Sequence, residues 1–329
     1  MKILIFEYLS GGGFAAQALP SSLAQEGLLM LQSLLADFAE LAEHQLTVLL
    51  DHRCSIKINS IIETIIIEQS DDLELLFIKQ LNKVDAVWLI IPETEQLLYR
   101  FTQYAEQANC QLFSSSSMAI HQTGDKWICF QKLIESHIPT IPSQLFNEIQ
   151  NSLFFPCVIK AREGVGCQDN YVLTHLSEYT KIAPLIINKN NYLIQPYIQG
   201  IPLSLSALFY RGQAQLICIN QQELTIHDCQ FHLKGCLVNL SINPQPFDSL
   251  LSKIAIAFPD LLGYIGIDLL QIEQQLIVVE INPRLTSSYI GIRQALGINI
   301  AKIVIDLIQL PINLSPSCYQ TIAINFTEF

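Results

Sequence analysis

The side chains best suited to chemistry in this sequence are those of Asp268, Glu280 and Asn282, which carry oxygen ligands at a regular spacing. Apolar residues precede and follow a polar stretch centred on Gln274, a pattern that predicts an antiparallel β-hairpin. A turn at that centre places Asp268 directly opposite Glu280, with their Cβ atoms about 5 Å apart. Asn282 shares the face of Glu280 because side chains alternate along a strand with a period of two. The hairpin therefore gathers three oxygen ligands in one place.

Two carboxylates at this separation need a cation between them. Like charges about 4 Å apart repel by roughly 4 kcal/mol at an effective dielectric near 20. Mg²⁺, or Mn²⁺ in its place, suits the set, because hard divalent cations bind carboxylate and amide oxygens together with substrate phosphates. Arg284 follows on the same strand end and could fork onto a phosphate. The alternative is an exposed hairpin end with ordinary acids, which the apolar flanking strands disfavour.

A second candidate segment delivers a lysine to a glycine loop. An apolar strand ends at Lys160, and Gly164 and Gly166 follow it closely. Backbone N–H groups of such a loop can point at an anion, so the segment is expected to contact phosphates and to close over them. It is not the P-loop pattern. A solvated turn after an edge strand is the alternative for this segment.

A third candidate segment, residues 192–200, predicts a strand that breaks into a linker at a proline. The backbone around Gln195, Tyr197 and Ile198 could offer N–H and C=O groups to the edge of an adenine ring. Taken alone, the segment fits an ordinary crossover better.

Composition limits the classes of function. The chain has 329 residues, of which 50% are hydrophobic and 15% charged, and its net charge is −12. An acidic surface argues against nucleic-acid binding. Charged residues interrupt every long apolar stretch, so no membrane-spanning helix is expected, and no secretory signal is predicted. Nine cysteines without a Cys-x-x-Cys pair suggest reduced core thiols and a cytoplasmic location.

The order of predicted elements indicates two fold classes in succession. Strands and helices alternate in the first third, which predicts a parallel sheet covered on both faces. A serine-rich break follows, and later strands are separated by tight turns until a helical segment from Ser287 to Ile308. We expect an α/β N-terminal domain over residues 1–116, a lid subdomain over 117–201 and a metal-binding C-terminal subdomain over 202–329.

The sequence resembles the ATP-grasp superfamily in the order of its candidate segments. These are Lys126, Lys160 with its glycine loop, the linker, Asp268 and the Glu280-x-Asn282-x-Arg284 run. The resemblance covers the whole chain and implies an α+β ATP-grasp fold, with two subdomains that clasp ATP, after an α/β N-terminal domain. It also implies a ligase that forms an amide from a carboxylate and an amine through an acyl phosphate, with ADP and phosphate as products.

The resemblance assigns roles to residues of this chain. Arg284 and Lys160 would be catalytic. The metal ligands would be Asp268, Glu280 and Asn282. ATP would contact Lys126, Lys160, Gly164, Gly166, Gln195, Tyr197, Ile198 and Ser204. Pro202 stands where many members have an acid for the ribose, so either Ser204 or Ser206 would replace that acid.

Residues 6–14 and 282–291 look most like the tyramine–glutamate ligase group of methanofuran and methylofuran biosynthesis. This closer resemblance implies glutamate and tyramine, or a related amine, as substrates. The residues expected at the substrate are Glu7, Gly11, Gly12, Gly13, Ser287, Ser288 and Tyr289. A phosphotransferase acting on a small metabolite and a non-catalytic nucleotide-binding regulator are the alternatives. The oligomeric state, including a homodimer, is left open.

Overall fold

The computed structural model describes residues 1–56, 62–148, 153–167, 169–307 and 309–326. Its first sheet is parallel, with strand order β3-β2-β1-β4-β5. The central strands are buried along nearly their whole length, as the apolar runs predict for a sheet covered on both faces. The strands are β1 (Lys2–Glu7), β2 (Gln45–Asp51), β3 (Glu63–Ile67), β4 (Ala86–Ile90) and β5 (Gln111–Leu112).

Helices connect these strands and lead into the second half of the chain. They are α1 (Ser21–Phe38), α2 (Leu73–Leu81), α3 (Leu97–Gln107), α4 (Ser117–Gly124) and α5 (Lys126–Glu135). Asp72 and Asp125 cap α2 and α5 by accepting hydrogen bonds from backbone N–H groups of the first turn. No helix in the described ranges is long and apolar enough to cross a membrane.

The second sheet has ten strands and is antiparallel, with order β14-β13-β10-β11-β12-β8-β7-β9-β6 and β15 beside β12. A single residue pair, Gln230 with Tyr171, joins its two halves through β12 and β8. The first half comprises β6 (Gln144–Leu145), β7 (Cys157–Ala161), β8 (Asn170–Leu173) and β9 (Tyr192–Pro196). The second comprises β10 (Ile201–Tyr210), β11 (Gln213–His227), β12 (Gln230–Val238), β13 (Gly263–Ile272), β14 (Gln275–Asn282) and β15 (Ile322–Asn325).

Four further helices pack on this sheet: α6 (Leu176–Ile182), α7 (Gln245–Ala257), α8 (Tyr289–Leu296) and α9 (Ile300–Ile305). The predicted single helical segment from Ser287 is therefore two helices. The chain breaks at Gly297, which has φ 65°, and Asn299 caps α9. Ile308 lies outside the described residues. The two sheets and their helices support, as a proposal, the division into residues 1–116, 117–201 and 202–329.

The hairpin of β13 and β14 pairs Asp268 with Glu280, which confirms the predicted pairing. The turn, however, is not centred on Gln274. Ile272 pairs with Gln275, so the loop has only two residues, and a β-bulge near Val279 shifts the register by one. Without the bulge, the two-residue turn would pair Asp268 with Val279; the bulge brings Asp268 opposite Glu280.

Helix α1 joins the two halves of the molecule. Its buried side is part of a hydrophobic cluster that includes residues of α8 and α9. The Asp37 carboxylate accepts hydrogen bonds from the Tyr289 hydroxyl, at 2.6 Å, and from Arg293 Nη1, at 2.7 Å. These contacts hold α1 in place beside the second sheet.

Candidate active site

A cavity of about 370 Å³ lies among α1, the strands β7 and β9, the hairpin β13–β14 and the hairpin β11–β12. The structure brings most of the predicted site residues to its wall. Those residues are Lys160, Gly164, Gly166, Gln195, Tyr197, Ile198, Ser204, Asp268, Glu280, Asn282, Arg284, Ser287 and Ser288. Segments far apart in sequence thus converge on one cavity.

The acidic end of the cavity holds Asp268 and Glu280. The pKa of Asp268 is raised to about 7, first by burial and second by the charge of Glu280. Hydrogen bonds from Gln222, at 3.1 Å, and from Asn282 oppose that rise. Burial and the negative charge of Glu280 disfavour the ionised form of Asp268, and a bound cation would stabilise it. Carboxylate and amide oxygens are the ligands that Mg²⁺ prefers. The donor set therefore fits a magnesium site.

Two lysines face the acidic pair. The Lys126 ammonium lies 3.3 Å from Glu280 Oε2 and donates a hydrogen bond of 3.0 Å to the carbonyl of Gly164. Lys126 is thus beside the cavity, in contact with its wall. Burial lowers the pKa of Lys160 to about 8, and the charge of Glu280 opposes that decrease. Glu280 therefore helps to keep Lys160 charged, as a phosphate contact requires.

The glycine loop connects β7 and β8 and packs against α1. A Cβ atom added to Gly166, which has φ 61°, would lie 2.7 Å from Leu23 Cδ2. The base of the loop is fixed, because Arg162 pairs with Asp125 and its carbonyl accepts a hydrogen bond from the Lys126 backbone N–H at 2.9 Å. The loop therefore covers the cavity from a fixed base.

The linker after β9 forms another part of the wall. Gln195 is buried, and its Nε2 donates a hydrogen bond of 2.6 Å to Ser143 Oγ. Residues 197–200 have no regular secondary structure, as the sequence predicts. Of the two serines considered for the ribose, Ser204 lines the cavity, whereas Ser206 is fully buried and bonded to the Tyr264 hydroxyl.

The predicted phosphate contact of Arg284 stays a prediction, and the structure gives its guanidinium other partners. Its guanidinium does not point a free fork into the cavity. Nε and Nη2 both donate to the carboxylate of Glu93, at 2.9 to 3.0 Å, and Nη1 donates to the carbonyl of Leu285. Glu93 follows β4 in the first sheet and is 4% exposed. The pair ties the end of β14 to the N-terminal sheet, and three of the five N–H groups of Arg284 are used in these bonds, while the residue also lines the cavity.

The substrate contact predicted for Glu7 is likewise not supported by its position, because Glu7 does not line the cavity. Its carboxylate is 1% exposed and accepts hydrogen bonds from the backbone N–H groups of Leu9 and Ser10 and from the Ser10 hydroxyl. Burial raises the pKa of Glu7 to about 7. The carboxylate therefore stabilises the turn after β1.

Gly11, Gly12 and Gly13, which follow that turn, also lie away from the cavity wall, and so does Tyr289. Cβ atoms on Gly11, Gly12 and Gly13 would collide with Phe6, Ile67 and Tyr8 respectively. Close packing, rather than approach to a substrate, explains these glycines. Tyr289 is buried and donates to Asp37, as described above. Ser287 and Ser288 are the predicted substrate residues that the structure places on the wall.

Several cavity residues were missed from the sequence. Glu26 reaches the wall from α1, and Gln222 reaches it from β11. Apolar side chains of the β11–β12 hairpin cover one side; they are Leu224, Ile226, Phe231 and Leu233. Nothing in the local sequence distinguishes these residues from an ordinary amphipathic helix and hairpin.

The raised pKa of Glu7 predicts a pH-dependent stability. The unfolded pKa is 4.5 and the folded pKa is about 7, so the folded state binds more protons between these values and its stability falls as pH rises through that window. Relative to a Glu7→Gln variant, the wild-type free energy of unfolding should decrease by up to roughly 3 kcal/mol between pH 4.5 and 8. Urea unfolding of both proteins across this range measures the difference. Parallel stability curves would contradict the prediction.

Comparisons with known proteins identify the family and the fold. Residues 44–120 match the pre ATP-grasp 3 domain and residues 123–288 match the ATP-grasp domain. The chain is 25% identical over 297 residues to the tyramine–L-glutamate ligase of Methanocaldococcus fervens, covering 88% of this chain and 89% of that protein. The corresponding enzyme of Methanocaldococcus jannaschii is 23% identical and covers 88% and 84%. A crystal structure of an ATP-grasp superfamily protein from Archaeoglobus fulgidus is similar, with TM-score 0.69, 25% identity and coverage of 93% and 88%.

Proposed function

This chain belongs to the ATP-grasp family and is an ATP-dependent ligase, and on that premise we propose that it joins glutamate to tyramine or a related amine. Such a reaction would serve the biosynthesis of a methanofuran-type or methylofuran-type cofactor. The similarity to two tyramine–L-glutamate ligases over 297 residues supports this choice of substrates.

One observation carries the proposal. A single cavity holds an acidic pair, a buried lysine and a glycine loop, and it continues past Ser287 and Ser288 to α1. The first group of residues suits the phosphates of ATP, and Ser287, Ser288 and Glu26 line the same wall. This arrangement supports a nucleotide site with the acid and the amine bound next to it.

The chemistry follows from the weakness of a carboxylate as an electrophile, because direct attack would expel oxide. Transfer of the γ-phosphoryl group of ATP to the carboxylate gives an acyl phosphate and ADP. The amine then attacks the acyl carbon, the C–O bond to phosphate breaks, and the amide, phosphate and a proton are released. No side chain of the protein need act as a nucleophile.

The residues of the cavity would support these steps electrostatically. Lys126 and Lys160 would hold phosphate oxygens, and the glycine loop would exclude water. Asp268, Glu280 and Asn282 would hold Mg²⁺, which neutralises phosphate charge when it is bound. Arg284, whose Nε and Nη2 donate to Glu93, would position the end of β14 rather than bind a phosphate.

The proposed reaction predicts an acyl phosphate that hydroxylamine can intercept. With Mg-ATP, glutamate and hydroxylamine, the protein should release ADP and form a hydroxamate; with tyramine in place of hydroxylamine it should form an amide of the expected mass. Mass spectrometry and an ADP assay measure both outcomes. Omission of the acid is the control and should abolish ADP release.

The same assay separates the alternatives. A phosphotransferase would leave a stable phosphoester and would form no hydroxamate. A nucleotide-binding regulator would bind Mg-ATP without turnover for any acid or amine. If another acid and amine react while glutamate and tyramine do not, the choice of substrates is wrong and the ligase assignment stands.

A further inference from the structure

Glu26 is an acidic residue of the cavity wall that has no role in the proposed chemistry. It lies on α1 and comes from the N-terminal half of the chain, whereas the proposed metal ligands Asp268, Glu280 and Asn282 come from the hairpin β13–β14. Both lysines of the site interact with Glu280: Lys126 forms a salt bridge with it, and its charge acts on Lys160. Glu26 therefore reaches the cavity from a different element than the proposed metal ligands do.

The Glu26 carboxylate has no counterion of its own. Ser287 lines the same wall, and the positive charge of Arg284 is nearby. Arg284, however, already forks onto Glu93. Within the described ranges, Glu26 forms no ion pair within 4 Å of a basic side chain, and burial raises the pKa of its carboxyl. A partly buried carboxylate in this state favours a cationic ligand.

The position of Glu26 is fixed by its helix. Gly27 lets α1 approach the end of β1 so closely that a Cβ atom there would lie 2.5 Å from the Glu7 carboxylate. At its other end, α1 is held by the contacts of Asp37 with Tyr289 and Arg293. The Glu26 carboxylate is therefore presented by a helix that is held in place at Gly27 and at Asp37.

We propose that Glu26 binds the ammonium group of a substrate and so determines which substrates the cavity accepts. The inference rests on the proposed ligase function, in which two molecules carry such a group: the amino acid, on its α-carbon, and the amine before it loses its proton. Both present the same chemistry, a primary ammonium that can donate a charge-assisted hydrogen bond to a carboxylate.

The test compares wild type with Glu26→Gln, which keeps the size and the hydrogen-bonding capacity of the side chain but removes its charge. Glu26→Asp retains the charge at a shorter reach, and Glu135→Gln, at an exposed position at the end of α5, is the matched control. In one arm glutamate is varied with hydroxylamine as the acceptor. In the other, tyramine is varied at saturating glutamate.

We expect Glu26→Gln to raise KM by roughly 10- to 100-fold in one of the two arms, the effect of losing one charge-assisted hydrogen bond, with the KM for ATP unchanged. Glu26→Asp should recover part of the loss, and Glu135→Gln should match wild type. An effect in the glutamate arm that disappears when glutarate replaces glutamate assigns the contact to the α-ammonium. An effect confined to the tyramine arm assigns it to the amine.

Changes of less than about twofold in both arms would overturn the inference while leaving the ligase function intact. Failure of wild type to release ADP with any acid would instead overturn the proposed function. Calorimetric binding of glutamate and of tyramine to wild type and Glu26→Gln, in the presence of Mg-ADP, decides the role of Glu26 in that case also. Equal affinities in the two proteins would refute it.

Discussion

Replacement of Glu280 by glutamine should slow turnover by roughly a thousandfold, equivalent to about 4 kcal/mol of transition-state stabilisation, with little change in fold. The substitution keeps the shape of the side chain and removes its charge from the proposed metal site. It also removes the carboxylate that lies 3.3 Å from the Lys126 ammonium and that supports the charge of Lys160. Lys160, whose pKa burial already lowers to about 8, would then lose its proton more readily near neutral pH.

The measurement is ADP release with glutamate and tyramine at saturating Mg-ATP, accompanied by a thermal unfolding curve. Glu273→Gln is the matched control, because Glu273 is exposed in the turn of the same hairpin and carries the same charge. It should retain nearly full activity. A Glu280→Gln protein with near-normal turnover would exclude the proposed role of the hairpin.

The pairing of Asp268 with Glu280 was predicted correctly, but the turn and the bulge that produce it were not. Alternation of apolar and polar residues fixes which side chains share a face, and this information is local. The two-residue turn alone would have placed Asp268 opposite Val279, and the bulge near Val279 corrects the register. A bulge has no dependable signature in a single sequence, since it depends on the neighbouring strand.

Local patterns also predicted the parallel N-terminal sheet, the glycine loop and the linker after β9, because each is encoded within a few consecutive residues. The partner of Arg284 could not be predicted, because Glu93 is 191 positions away and follows a strand of the other sheet. Glu26 was missed for a similar reason: only the packing of α1 against the second sheet brings it to the cavity. The glycine run after β1 was assigned to the substrate, whereas side-chain packing against Phe6 and Ile67 accounts for it.

The contact between Glu93 and Arg284 predicts the largest effect on stability. Glu93→Ala should lower the free energy of unfolding by about 3–5 kcal/mol, because it leaves the Arg284 guanidinium enclosed without its carboxylate. The side chains of Arg284 and Glu93 are 12% and 4% exposed, and three donor–acceptor contacts of 2.9 to 3.0 Å join them. Urea unfolding, followed by far-UV circular dichroism, measures the change.

Two comparisons test whether burial of the Glu93–Arg284 pair causes this loss of stability. In the exposed pair of Arg100 and Glu74, with side chains 44% and 40% exposed, Glu74→Ala should cost at most about 1 kcal/mol. The double variant Glu93→Ala/Arg284→Met removes both charges and should be more stable than Glu93→Ala alone, because no unpaired charge remains enclosed. If the loss of stability of the double variant relative to wild type equals the sum of the losses of Glu93→Ala and Arg284→Met, the two residues act independently. The N-terminal sheet and the end of β14 would then be held together by apolar packing rather than by this ion pair.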